Sequence, residues 1–266
     1  MTRHLPLILT ALFMSSLLSI TAQNKAVIKT EEVTYTSGGT TLKSFVAYNS
    51  NQKGKRPAII VVPEWWGNNG YSKSRARQLA GLGYIAIAVD MYGDDKIAAD
   101  PKQAQEYATP FYKDPQLGES RIEAAVNKLK EYPQTDASKM AAIGYCFGGS
   151  MVLNAAKLGM DFKGVVSFHG GLATVPATAG STKANILVCQ GAIDKFVSEA
   201  DIKSFKGNLD SLNVPYTFIV YPNATHAFSN IDATAMGKKF NMPIAYNEAA
   251  DKKSWKDMKA FFKTIF

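Results

Sequence analysis

The stretch "MAAIGYCFGGSMVLNAAKLG", residues 140–159, decides the architecture. It begins as a short apolar run, ends as a small-residue stretch of helical character that closes on Gly159, and changes from one to the other around Cys146. Gly144 and Gly148 flank Cys146 at two residues on either side, the pattern of a sharp strand-to-helix elbow in which side chains have no room. Such an elbow lifts its central residue above the sheet at a helix N-terminus, where the backbone dipole favours an anion such as a thiolate. The competing reading is a small buried hydrophobe in a glycine-rich turn.

Outward from this elbow the chain repeats the same grammar. "PAIIVVPEWWG" (57–67), "YIAIAVDMYG" (84–93), "GVVSFHGGL" (164–172), "ANILVCQGAID" (184–194) and "YTFIVYPNATHAF" (216–228) are continuous apolar runs, the mark of strands buried on both faces of a parallel sheet. Stretches of helical period alternate with them: 72–83, 115–133, the elbow helix, 198–213 and 248–266. Upstream, "EEVTYTSGGTTLKSFVAY" (31–48) alternates as two strands around Ser37-Gly38-Gly39. The expected fold is therefore α/β, a mostly parallel central sheet with helices on both faces and an N-terminal antiparallel edge hairpin.

Residues 1–22 stand apart. Arg3, an apolar stretch over 5–18 and small residues approaching Ala22 read as a secretory signal peptide, too short and too interrupted by Ser15 and Ser16 for a spanning helix. Residues 23–266 are then expected as one domain, exported to the periplasm or beyond, with no stable membrane insertion and a monomer as the expected state. The net charge of +8 becomes +7 once Arg3 is removed, and its lysines are scattered singly, so a solvated surface is expected rather than a nucleic-acid site. Of the two cysteines, Cys189 lies in the middle of an apolar run, and no disulfide to Cys146 is expected.

In open parallel sheets chemistry gathers beyond the carboxyl ends of the strands. The residues there are Glu64, Asp90, Cys146, His169, Asp194 and His226. A cysteine nucleophile needs a base; after residue 22 only His169 and His226 are available, and His226, past the last strand, can fold back over the elbow. His169 is read as a wall or hydrogen-bonding residue. Asp194 suits the carboxylate that orients His226, and the order Cys146, Asp194, His226 follows an α/β-hydrolase triad, whereas Asp90 is better explained by the "DMYGDD" turn. The N–H groups of Trp65 and Phe147 are candidates for an oxyanion hole. Trp65, Trp66, Tyr92, Phe111, Tyr112, His169 and Phe228 are expected around the substrate, with no metal and no cofactor.

Taken together, "PEWWG", "VDMYG", "GYCFGG", "FHGGL", "GAIDKFV" and "YPNATHAF" resemble the dienelactone hydrolase family over roughly residues 30–266. The resemblance implies an α/β-hydrolase fold, Cys146, Asp194 and His226 as triad, Trp65 and Phe147 as oxyanion donors, and a small-molecule ester or lactone as substrate. It also implies that Glu64 holds or deprotonates the thiol. Dienelactone-specific members grip a substrate carboxylate with arginines. Here Asn230 stands where one is expected, and the segment 94–113 has Lys96, Lys102 and Lys113 but no arginine. Acyl transfer, peptide cleavage and a noncatalytic binding role on the same scaffold remain the competing functions.

Overall fold

The computed structural model of the protein describes residue 1 and residues 26–266. The signal peptide expected at 1–22 lies, Met1 apart, outside the described residues. One eight-stranded sheet organises the rest, in the order β1 (Ile28–Ser37), β2 (Thr40–Asn49), β4 (Ile85–Ala88), β3 (Arg56–Val62), β5 (Thr135–Tyr145), β6 (Gly164–Phe168), β7 (Asn185–Gly191) and β8 (Tyr216–Tyr221). The β1–β2 and β2–β4 pairs are antiparallel and all the others parallel, so the hairpin sits at the edge where its alternation placed it.

Helices cover both faces because each inner strand is apolar on both sides. Ala58, Ile60 and Val62 of β3 point into one core with Ile122 and Leu129 of α3 (Pro115–Lys130), Met151 and Ala155 of α4 (Phe147–Leu158), and Leu209 of α5 (Glu199–Ser211). Ile59 and Val61, one residue out of phase, point into the other, with Leu79 of α1 (Gly70–Gly81) and Met258 and Phe262 of α7 (Glu248–Ile265). Two further helices, α2 (Pro101–Lys113) and α6 (Ala233–Phe240), build the rim above the carboxyl ends of the strands. No described helix is long and apolar enough to cross a membrane.

Two close approaches bring the strand ends together. A Cβ on Gly144 would collide with the Gly148 carbonyl, and one on Gly148 with the carbonyls of Val62 and Pro63. Only glycine lets α4 start so close to the end of β3, and this sets Cys146 beside Glu64. Asp90 serves the turn after β4, where its carboxylate accepts from the N–H groups of Lys43, Tyr92, Gly93 and Asp95.

Candidate active site

Cys146 occupies the elbow with φ 51° and ψ −116°, a left-handed conformation that costs a non-glycine residue about 1–3 kcal/mol. Its surroundings enforce it: the Cys146 N–H is held by the Phe168 carbonyl at 3.0 Å and His169 Nδ1 at 3.1 Å. The side chain is half-buried in a cavity of about 530 Å³, which is also lined by Glu64, Trp65, Trp66, Phe147 and His226.

His226 stands over the elbow. Its Nδ1 lies 2.9 Å from Asp194 Oδ2, and it lines the same cavity as Cys146. Asp194 is saturated with donors, taking Gln190 Nε2 at 2.8 Å on Oδ2 and the Phe196 N–H at 2.8 Å on Oδ1. This orientation fixes the tautomer with the proton on Nδ1 and frees the second nitrogen for the thiol. Burial works against a charged His226, but Cys146 and Asp194 together overcome it and push its pKa up to about 10.

Glu64 is buried at the end of β3, and burial raises its carboxyl to about 7. Asn230 Nδ2 donates to Glu64 Oε2 at 2.6 Å, and Asn230 Oδ1 accepts from the Asp232 N–H at 3.0 Å, which settles which way the amide faces. Asn230, at the position where the family resemblance places an arginine, is thus turned inward onto Glu64. Neither the Trp65 nor the Phe147 N–H has a hydrogen-bond partner among the described residues, and both residues line the cavity. The Tyr92 hydroxyl donates to the Trp65 carbonyl at 2.9 Å and so steadies that peptide.

The wall differs in part from expectation. Trp65, Trp66 and Tyr112 line the cavity, but Tyr92, Phe111, His169 and Phe228 lie behind the lining. Tyr92 and Phe111 pack on Phe147 with ring centroids 5.7 and 5.6 Å away, and Phe228 is wedged between His169 and Tyr221. Each is buried because these rings pack on one another and on their neighbours before reaching solvent. His169 is fully buried; its Nδ1 accepts from Cys146, and Nε2 meets Ser229 Oγ at 2.7 Å, which in turn meets the Tyr71 hydroxyl at 2.7 Å. Burial, joined by the charges of His226 and Arg75, holds the His169 pKa well below its ordinary value. It remains a neutral strut.

Residues not anticipated complete the lining: Gln105, Ser150, Gly171, Ala173, Phe196, Ala227, Met242 and Ile244. None of the lining residues is Lys or Arg, and Lys96, Lys102 and Lys113 are not among them. Both cysteines are free. Cys189 lies on β7 and Cys146 just past β5, with β6 between them, a separation of about 10 Å at ordinary strand spacing and beyond disulfide reach. Among the described residues, no three His, Cys, Asp or Glu side chains are grouped to hold a metal ion.

Residues 42–266 match the dienelactone hydrolase family. The chain belongs to the dienelactone hydrolase family. Its relatives share modest identity with it. A Caenorhabditis elegans protein named only as uncharacterised is 32% identical over 149 residues, 55% of this chain and 92% of the relative. A Methylorubrum extorquens protein with the provisional name carboxymethylenebutenolidase is 30% identical over 187 residues, 66% of this chain and 64% of the relative. Among solved structures, a dienelactone hydrolase-like promiscuous phosphotriesterase from metagenomic libraries is 33% identical with a TM-score of 0.84, over 90% of this chain and 99% of that one.

Proposed function

We propose that this dienelactone hydrolase family member cleaves an uncharged carboxylic ester or lactone through a thioester on Cys146. The observation that carries the reading is the joined set Cys146–His226–Asp194 opening into a cavity lined without Lys or Arg. His226, or Glu64 as carboxylate, takes the thiol proton, and the thiolate attacks the carbonyl carbon. The oxyanion that forms is received by the N–H groups of Trp65 and Phe147, each such donor being worth about 10²–10³ in rate. His226 then passes its proton to the leaving alkoxide oxygen and a thioester remains. Water, deprotonated by His226, attacks the thioester carbon; the thiolate leaves and the carboxylic acid is released.

A substrate with its own carboxylate would meet the Glu64 carboxylate, with no lining Lys or Arg to grip it. Neutral acyl groups with an apolar or aromatic body match Trp65, Trp66, Tyr112 and Phe196 better. The test is a panel of neutral aryl esters, alkyl esters and lactones beside carboxylate-bearing analogues, with one neutral phosphotriester added because of the solved relative. Neutral esters should be preferred, His226→Ala should be inactive, and intact-mass analysis should find an acyl adduct on Cys146. Equal turnover by wild type and Cys146→Ala would sink the proposal. Export is part of it: residues 1–22 carry Arg3, an apolar stretch and small residues before Ala22, and the mature chain should begin near Gln23 by N-terminal sequencing.

A further inference from the structure

The helix that begins at the nucleophile is apolar or glycine except at Ser150, Asn154 and Lys157, and all three are buried. Their spacing of four and then three residues puts them on one helix face, and all three reach the same segment. Ser150 Oγ donates to the Gly171 carbonyl at 2.9 Å, Asn154 Oδ1 accepts from the Val175 N–H at 2.9 Å, and Lys157 Nζ donates to Thr174 Oγ1 at 2.9 Å. That segment, between β6 and β7, has no helix or strand of its own. Between residues 170 and 177 its only internal backbone bond among the described residues is Thr174 N–H to the Leu172 carbonyl at 2.8 Å. Further on, Asn208 of α5 clasps both the N–H and the carbonyl of Ala177.

Gly171 and Ala173 of this segment line the cavity opposite the tryptophans' side of Cys146 in sequence and sheet order, beyond β6 rather than β3. Lys157 makes no ion pair among the described residues and instead lies 4.5 Å from the Phe205 ring centroid. A buried amine without a carboxylate is costly, and an apolar residue would fill its place more cheaply. What the amine supplies in return is a fixed Thr174.

Resting on the hydrolase reading, the geometry points to Ser150, Asn154 and Lys157 as a ladder of positioning residues that sets the segment 171–175 as the acyl-side wall and so limits acyl length. The wall takes its position from the nucleophile's own helix, so acyl fit is referenced directly to Cys146. Loosening a rung lets the wall withdraw and admits longer acyl chains.

The experiment compares kcat and KM for p-nitrophenyl acetate and p-nitrophenyl hexanoate in wild type, Asn154→Ala, Lys157→Met, Asn154→Asp and Ala173→Val. The hexanoate-to-acetate ratio of kcat/KM should rise at least about 5-fold in Asn154→Ala and Lys157→Met, carried by KM rather than kcat. Asn154→Asp, which keeps an acceptor for Val175 N–H, should restore the wild-type ratio, and Ala173→Val, which thickens the wall, should lower it. A ratio unchanged within about two-fold in both ladder variants with native near-UV circular dichroism overturns the inference. So does an unaffected ratio in Ala173→Val, which decides the matter if the ladder variants do not fold. If wild type hydrolyses neither ester, the hydrolase reading is judged on the lactone and ester panel, and the wall is tested apart from it by reading the same ratio as Kd from tryptophan fluorescence.

Discussion

Glutamine in place of Glu64 should stabilise the protein in mild alkali and leave it nearly unchanged in acid. Burial raises the Glu64 carboxyl from its ordinary 4.5 to about 7, against the opposing pull of the Asn230 donor and of His226 and Arg75. A group whose folded pKa lies above its unfolded one holds its proton more tightly in the folded state. The stability it contributes is therefore complete below pH 4.5 and is lost as pH rises through about 7. By pH 8 a shift of roughly 2.5 units, at about 1.36 kcal/mol each, amounts to about 3 kcal/mol. Glutamine has no proton to lose, and its carbonyl can still accept from Asn230. Urea unfolding of both proteins at pH 4 and pH 8 measures the effect, and any packing cost that does not depend on pH cancels between the two. The stability difference between variant and wild type should move by about 3 kcal/mol in the variant's favour from pH 4 to pH 8. Movement of less than about 1 kcal/mol would refute burial as the source of the raised proton affinity.

Four other outcomes are expected. Asn230→Leu removes the donor that favours the Glu64 carboxylate, so the ionisation near pH 7 in the kcat/KM profile should move alkaline by about one unit or more. Asp194→Asn keeps the shape but spoils the His226 tautomer, and stopped assays should find kcat down by about 10³–10⁴ with KM little changed. Cys146→Ala should abolish both turnover and the acyl adduct seen by intact mass. Phe228→Ala, at a fully buried ring, should cost about 3–5 kcal/mol in chemical denaturation, and a cost under about 1 kcal/mol would put the ring back in the wall.

The strands were legible where burial on both faces leaves an unbroken apolar run, as in β3, β4, β6 and β7. β5 is legible only from Met140, because four of its first five residues, Thr135, Asp136, Ser138 and Lys139, are polar and its register with β3 is irregular before Met140. The helices α2 and α6 carry no clear apolar period in the sequence. In α2 the buried face is Ala104, Ala108 and Phe111, two of them alanines, and Pro110 interrupts the pattern. The grouping of Cys146, Asp194 and His226 was legible because strand ends converge at one edge of a parallel sheet, whatever the loops do. The wall was not, since side chains such as Gln105, Met242 and Ile244 reach the cavity from α2 and from the segment after α6, and no local period marks that destination. Asn230 was visible as a departure, but its inward turn onto Glu64 depends on the Asp232 N–H claiming its oxygen, a contact that only the folded loop supplies.

The two cysteines have a practical consequence. Cys189 is fully buried beneath the Tyr221 hydroxyl, 3.4 Å from its sulfur, and burial pushes its pKa up to about 12. At pH 8 it is neither accessible nor nucleophilic, whereas Cys146 opens to the cavity. A thiol reagent applied to the folded protein should therefore take up one equivalent per chain, at the elbow. The same titration repeated in urea should count two, and since an unfolded chain gives two in both readings, a ratio of one half marks a fully folded preparation and a ratio near one an unfolded one, without a substrate in hand.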